Sequence, residues 1–213
     1  MRGHAGILAV LNDLDAACDR AAYEDWYQRD HLPDRLGVPG FRHARRYRLL
    51  EGAGQGFFTF YEVESALVLR SEAYLARLAA PTAGTVAMMR HFRAMCRSVC
   101  AVAADEGEGI GGVVAVIGAE AAVPAAGAAA VLRGVLGHGA VCRARLWVAA
   151  ADVDENPEAG LRPGRDARLG AVLVVEGSEA GLVRAAAVAA GAALGMGGPV
   201  GVYGLLHARD AAA

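Results

Sequence analysis

The hydrophobic pattern of the chain changes period several times, and the changes mark out elements. Residues 6–11 (GILAVL) form a short apolar run ending at the turn-forming pair Asn12-Asp13, which predicts a strand. From residue 20 to about 37 the period becomes helical: Tyr23, Tyr27 and His31 recur at i, i+4 and i+8, with Trp26 and Asp30 beside them. Pro33 removes an amide donor inside this segment, so the helix is expected to kink or restart near His31-Leu32. The tripeptide Val38-Pro39-Gly40 ends it. Residues 42–50 (RHARRYRLL) and 57–64 (FFTFYEVE) predict two strands around a Gly-containing hairpin turn. Ser65 is the expected cap of a helix through Leu67, Leu75 and Leu78. Pro81-Thr82 opens a further helical stretch to about residue 93, and 95–102 reads as a strand, giving the order βαββαβ.

The second half repeats that order with blander residues. Strands are predicted over 110–117, 139–149, 167–176 and 200–207, helices over 124–136 and 179–194, and a polar loop over 152–166. Residues 104–109 (ADEGEG), acidic and glycine-containing, read as the junction. Two halves, 1–103 and 104–213, are therefore expected. A βαββαβ unit of the ferredoxin-like kind covers one sheet face with helices and leaves the other apolar. Pressing the two bare faces together would bury strands on both sides, which suits the nearly continuous apolar runs 57–61 and 171–175. The expected fold class is α+β: two ferredoxin-like halves, related by an internal tandem duplication, closing an intramolecular dimeric α+β barrel.

Composition narrows the function classes. Of 213 residues, 55% are hydrophobic and 21% charged, a globular balance. The 21 basic residues, all Arg, stand against 23 acidic ones for a net charge of −2, which gives no field to gather nucleic acid or an anionic membrane. No apolar stretch reaches membrane-spanning length and no secretory signal is read at the start, so a cytoplasmic location is expected. Cys18, Cys96, Cys100 and Cys142 form no CxxC pair and are expected to be reduced thiols without a metal. A nucleotide-binding glycine fingerprint, a P-loop lysine, a GxSxG elbow and HExxH are all absent.

His31 carries most of the chemical case. It lies where the helix must break, beside Asp30 and one turn after Tyr27. A helix C-terminus and a neighbouring carboxylate favour the imidazolium, while desolvation opposes it. In a cavity the ring could move protons near neutral pH; otherwise it simply hydrogen-bonds a freed carbonyl such as that of Arg29. On the following strand Arg42, Arg46 and Arg48 point one way and His43, Arg45 and Tyr47 the other. An inward Arg46 would bind a carboxylate or steady an enolate, and an outward one would make ordinary ion pairs.

The run Trp26-Tyr27-Gln28-Arg29-Asp30-His31-Leu32-Pro33, followed by Val38-Pro39-Gly40-Phe41 and Arg45-Arg46-Tyr47, resembles the EthD-like branch of the dimeric α+β barrel superfamily. Phe60-Tyr61-Glu62-Val63, Ser71 to Leu75 and Pro81-Thr82 extend the resemblance over about residues 6–103. It implies an enzyme that acts without a cofactor on a small aromatic, polyketide-like or lactone substrate, as an isomerase, cyclase, dehydratase or quinone-forming monooxygenase. In that reading His31 moves the proton with help from Asp30, and Arg46 or Tyr61 steadies the oxyanion. Trp26, Tyr27, Tyr47 and Phe58 line the pocket, with His91 as a further contact. The alternatives are a non-catalytic small-molecule-binding or accessory protein of the same fold, and a haem-binding barrel with His91, near Met88 and Met95, or His31 as the ligand. A small apolar or aromatic ligand is the expected partner, with a homodimer possible.

Overall fold

The computed structural model describes residues 5–150 and 156–212. Eight strands form a closed barrel: β1 (Gly6–Leu14), β2 (Phe41–Gly52), β3 (Phe57–Val63), β4 (Phe92–Gly107), β5 (Val113–Ala119), β6 (Val141–Ala149), β7 (Ala171–Gly177) and β8 (Val200–Asp210). The order round the barrel is β1-β3-β2-β8-β5-β7-β6-β4, and every named pairing is antiparallel. The helices are α1 (Arg20–Trp26), α2 (Leu32–Leu36), α3 (Glu72–Ala79), α4 (Ala83–Met89), α5 (Ala128–Val135) and α6 (Ala180–Ala193). None is long and apolar enough to cross a membrane.

Period-two alternation sorts the side chains into separate cores. On β3, Phe58 and Phe60 point into the barrel with Tyr47, Trp147 and Tyr203, while Phe57 and Tyr61 point out against the helices with Tyr23, Trp26 and Tyr74. A second outer core joins β5, β6 and β7 to α5 and α6 through small residues such as Ala128, Ala186 and Ala190. Strands covered on both faces explain the unbroken apolar runs.

Several sequence expectations need correction. Ser65 makes no side-chain cap: a 3-10 turn (Ala66–Arg70) follows it, and the Ser71 and Thr82 hydroxyls cap α3 and α4 by accepting from the amides of Tyr74 and Thr85. Residues 104–107 are strand rather than loop, because β4 runs on to pair with β6. Part of the expected polar loop is a 3-10 turn (Pro157–Leu161); the rest of that reading over 152–155 lies outside the described residues.

Candidate functional site

The first helical segment is continuous but changes pitch. Between α1 and α2 the chain makes a π-turn (Tyr27–His31), in which the Leu32 amide donates to the Tyr27 carbonyl five residues back. Pro33, lacking an amide, then occupies the first turn of α2, where no intrahelical donor is required. The helix changes pitch and restarts at Leu32, the place expected from Pro33, and such wide turns recur at functional sites. It places His31 under Trp26 and Tyr27, with ring centroids 4.7 and 5.0 Å away.

His31 borders a cavity of about 30 Å³ between the outer face of the sheet and the helices. Tyr61, Met95 and Arg97 come from the sheet, Tyr27 and Arg35 from the helical segment, and Tyr74 from α3. Glu158 and Arg162 reach over from the 3-10 turn of the second half. A bulge in β4 shapes the floor: Ala94, with φ of 46°, adds a residue opposite β1, so Phe92 and Met95 both face the helices.

The site is buried and rich in positive charge. Arg35 is held by Asp34 at 2.7 Å and by Glu158, and Arg162 by Asp166 at 2.5 Å. Burial, and after it the Arg35, Arg46 and Arg162 guanidiniums, push the His31 pKa well below its ordinary 6.5, so the ring is neutral at physiological pH. Its Nδ1 is buried without a hydrogen-bond partner among the described residues, and so is the Tyr61 hydroxyl. Burial, then neighbouring Tyr27, raises the Tyr61 pKa, so that hydroxyl keeps its proton. An unprotonated ring and a protonated phenol on one cavity are an acceptor and a donor ready for opposite ends of a proton transfer.

The structure brings together His31, Tyr61 and Tyr27, with Trp26 tilted against His31, and separates the other expected residues. Asp30 turns away from His31 and accepts from the Thr82 hydroxyl at 2.9 Å. Arg46 is fully buried but outside the cavity: it pairs with Glu24 and lies 4.3 Å from the Tyr27 ring centroid, fixing that ring rather than facing a ligand. Tyr47 and Phe58 lie inside the barrel, on the opposite sheet face, where they stack 5.8 Å apart. Residues alternate across a strand, so neither can share a cavity with Tyr61. His91 is remote as well: its Nδ1 meets Asp15 at 2.9 Å and its Nε2 accepts from Arg90 at 3.2 Å.

Arg35, Tyr74, Arg97, Glu158 and Arg162 escaped the sequence reading. Arg35 follows His31 by one helical turn, a spacing that could have found it. Glu158 and Arg162 sit in a polar loop about 130 residues from His31 in the chain, where no periodicity points to a partner.

No protein-family model matches the chain, and no curated protein does. Solved structures share its fold over nearly the whole length. An anthrone oxidase-like protein is 12% identical with a TM-score of 0.57, covering 99% of this chain and 94% of its own. A proposed monooxygenase from Fusobacterium nucleatum is 8% identical with a TM-score of 0.55, covering 99% and 96%. A haem-binding protein from Thermus thermophilus is 14% identical with a TM-score of 0.55, covering 96% and 92%. The closed eight-stranded antiparallel barrel with outer helices is therefore the fold that these structures share.

The haem-binding neighbour corrects one expectation: the fold gives no ground for an enzyme without a cofactor, since it also houses one. Haem itself does not fit the residues round His31 as they stand. The cavity there is about 30 Å³, whereas pockets that enclose a sizeable ligand run to roughly 300–1,000 Å³; it has room only for the reacting edge of a ligand whose body lies in the adjoining cleft of about 300 Å³. Both ring nitrogens of His91 are already engaged. Among the described residues no cluster of His, Cys, Asp and Glu gathers as a metal site.

Proposed function

We propose that this chain is an enzyme that removes a proton from an activated carbon or phenol of a small aromatic or polyketide-like substrate, with His31 as the base. The observation that carries the reading is a neutral, buried imidazole with an unpartnered nitrogen on a cavity that also holds the Tyr61 hydroxyl. The proton passes to the His31 ring and the electron pair stays on the substrate as an enolate or phenolate. Tyr61 donates a hydrogen bond to the new oxyanion, beside the ion-paired guanidiniums of Arg35 and Arg162. Asp30 and Arg46 take positioning roles, on the Thr82 side and behind Tyr27. The fold neighbours, an anthrone oxidase-like protein and a proposed monooxygenase, suit substrates whose carbanion then meets dioxygen, giving a quinone and water. We also read the matching strand orders β4-β1-β3-β2 and β8-β5-β7-β6 as two ferredoxin-like halves of a duplicated chain.

Proton removal can be watched directly, whatever follows it. In D2O the protein should catalyse exchange of the acidic C–H of anthrone or a related hydroxyaryl ketone, read by NMR. His31→Ala should slow the exchange about 100-fold or more, the usual range for losing a positioned base. Exchange that survives His31→Ala unchanged would refute the assignment.

A further inference from the structure

Among the described residues, the buried arginines obey a rule that one of them breaks. Arg35 pairs with Asp34 and Glu158, Arg46 with Glu24, Arg45 with Glu176, Arg145 with Glu62 and Glu176, and Arg162 with Asp166. Arg97, 9% exposed, donates only to a neutral group, the Tyr74 hydroxyl at 3.2 Å, and has no carboxylate partner among the described residues. A buried guanidinium without a counter-charge is costly, and the other five show that this fold otherwise supplies one.

Arg97 borders the His31 cavity, a cleft of about 300 Å³ and a smaller one of about 120 Å³, so it stands where the three meet. The larger cleft also carries Arg165, Arg168 and Asp166, the last paired with Arg162, and it shares Asn156 with the His31 cavity. A ligand lying in that cleft would pass its polar group over Arg97 on the way to His31.

We infer that Arg97 is the anion-binding residue of the site and that the ligand is a small aromatic acid whose carboxylate replaces the missing counter-charge. The planar guanidinium suits a carboxylate through paired N–H donors. The aromatic body lies in the cleft and its reactive position enters the smaller cavity. This substrate class rests on the function proposed for His31, but the binding step is separable from it.

Benzoate and benzamide, equal in shape and different in charge, are the probes, with affinities read by calorimetry on the full-length protein. Benzoate should bind at least tenfold more tightly than benzamide, and Arg97→Gln should erase that preference. Arg97→Lys, which keeps the charge and loses the fork, should retain part of it. If Arg97 merely props Tyr74, substitution would lower thermal stability and leave the benzoate-to-benzamide ratio unchanged, which would overturn the inference. So would equal affinity of the two probes, or no benzoate binding, in the wild-type protein, a comparison that stands even if Arg97→Gln does not fold. His31→Ala should still bind benzoate; if that variant keeps full C–H exchange while the Arg97 preference holds, the base is misassigned and the anion site survives.

Discussion

A histidine on the inner side of a helix can be a base or a bystander, and burial decides which charge it carries. At position 31 desolvation and three guanidiniums act in the same direction, against the proton. The consequence for stability has a definite sign. Below about 6.5 the unfolded chain binds a proton that the folded chain refuses, so the contribution of the neutral ring is present above 6.5 and is lost as pH falls towards the folded-state pKa. His31→Gln, which cannot titrate, should flatten the loss of stability as pH falls below about 6.5 in denaturant melts. An equally steep loss in the variant would place the acid sensitivity elsewhere. At this scale the sequence was informative about identity and silent about partners. His31 stood out by its place before Pro33, whereas Asp30 looked like a natural companion and in fact faces Thr82.

Among elements, the π-turn and the helix beneath it form one fitted unit. Gly84 on α4 lies so close that a Cβ there would come 2.6 Å from Asp30 Oδ2 and 2.7 Å from Trp26 Cδ1. Gly84→Ala should therefore push the indole and the turn that carries His31, costing about 1–3 kcal/mol as overpacking does. Thermal melts would show a drop of several degrees, and an unchanged melting temperature would mean that the contact relaxes freely. The reversal at Gly40 has a similar cause: its φ is 90°, and a Cβ would meet Val68 Cγ2 at 2.7 Å. Strands and helices were legible because periodicity is local. The π-turn, the β4 bulge at Ala94 and the caps by Ser71 and Thr82 depend on which hydrogen-bond partner wins, and no hydrophobic pattern encodes that.

Across the whole molecule, the two ends of the chain are bound into one structure. β2 pairs with β8 and β4 with β6, and the lumen they enclose is filled by Tyr47, Phe58, Phe60, Trp147 and Tyr203. Arg145 crosses that interior to reach Glu62 at 2.7 Å and Glu176 at 3.2 Å. Residues 1–103 expressed alone would expose Tyr47, Phe58 and Phe60 together, so the fragment should aggregate or self-associate through that face. A folded, monomeric fragment in size-exclusion chromatography would contradict the shared core. The closed barrel followed from element order and doubly buried strands, but the site did not. Its cavity lies outside the lumen, and its cover comes from Glu158 and Arg162, through contacts of a chain separation that only folding reveals.

The most direct measurement is a pH titration of the imidazole nitrogens by NMR, with His31 assigned through His31→Gln. A ring buried beside three arginines should keep the shifts of neutral imidazole as pH falls from 7.5 through the ordinary 6.5. A His31 that titrates near 6.5, as an exposed histidine does, would show that the ring is solvated and would remove the basis for assigning it as the buried base.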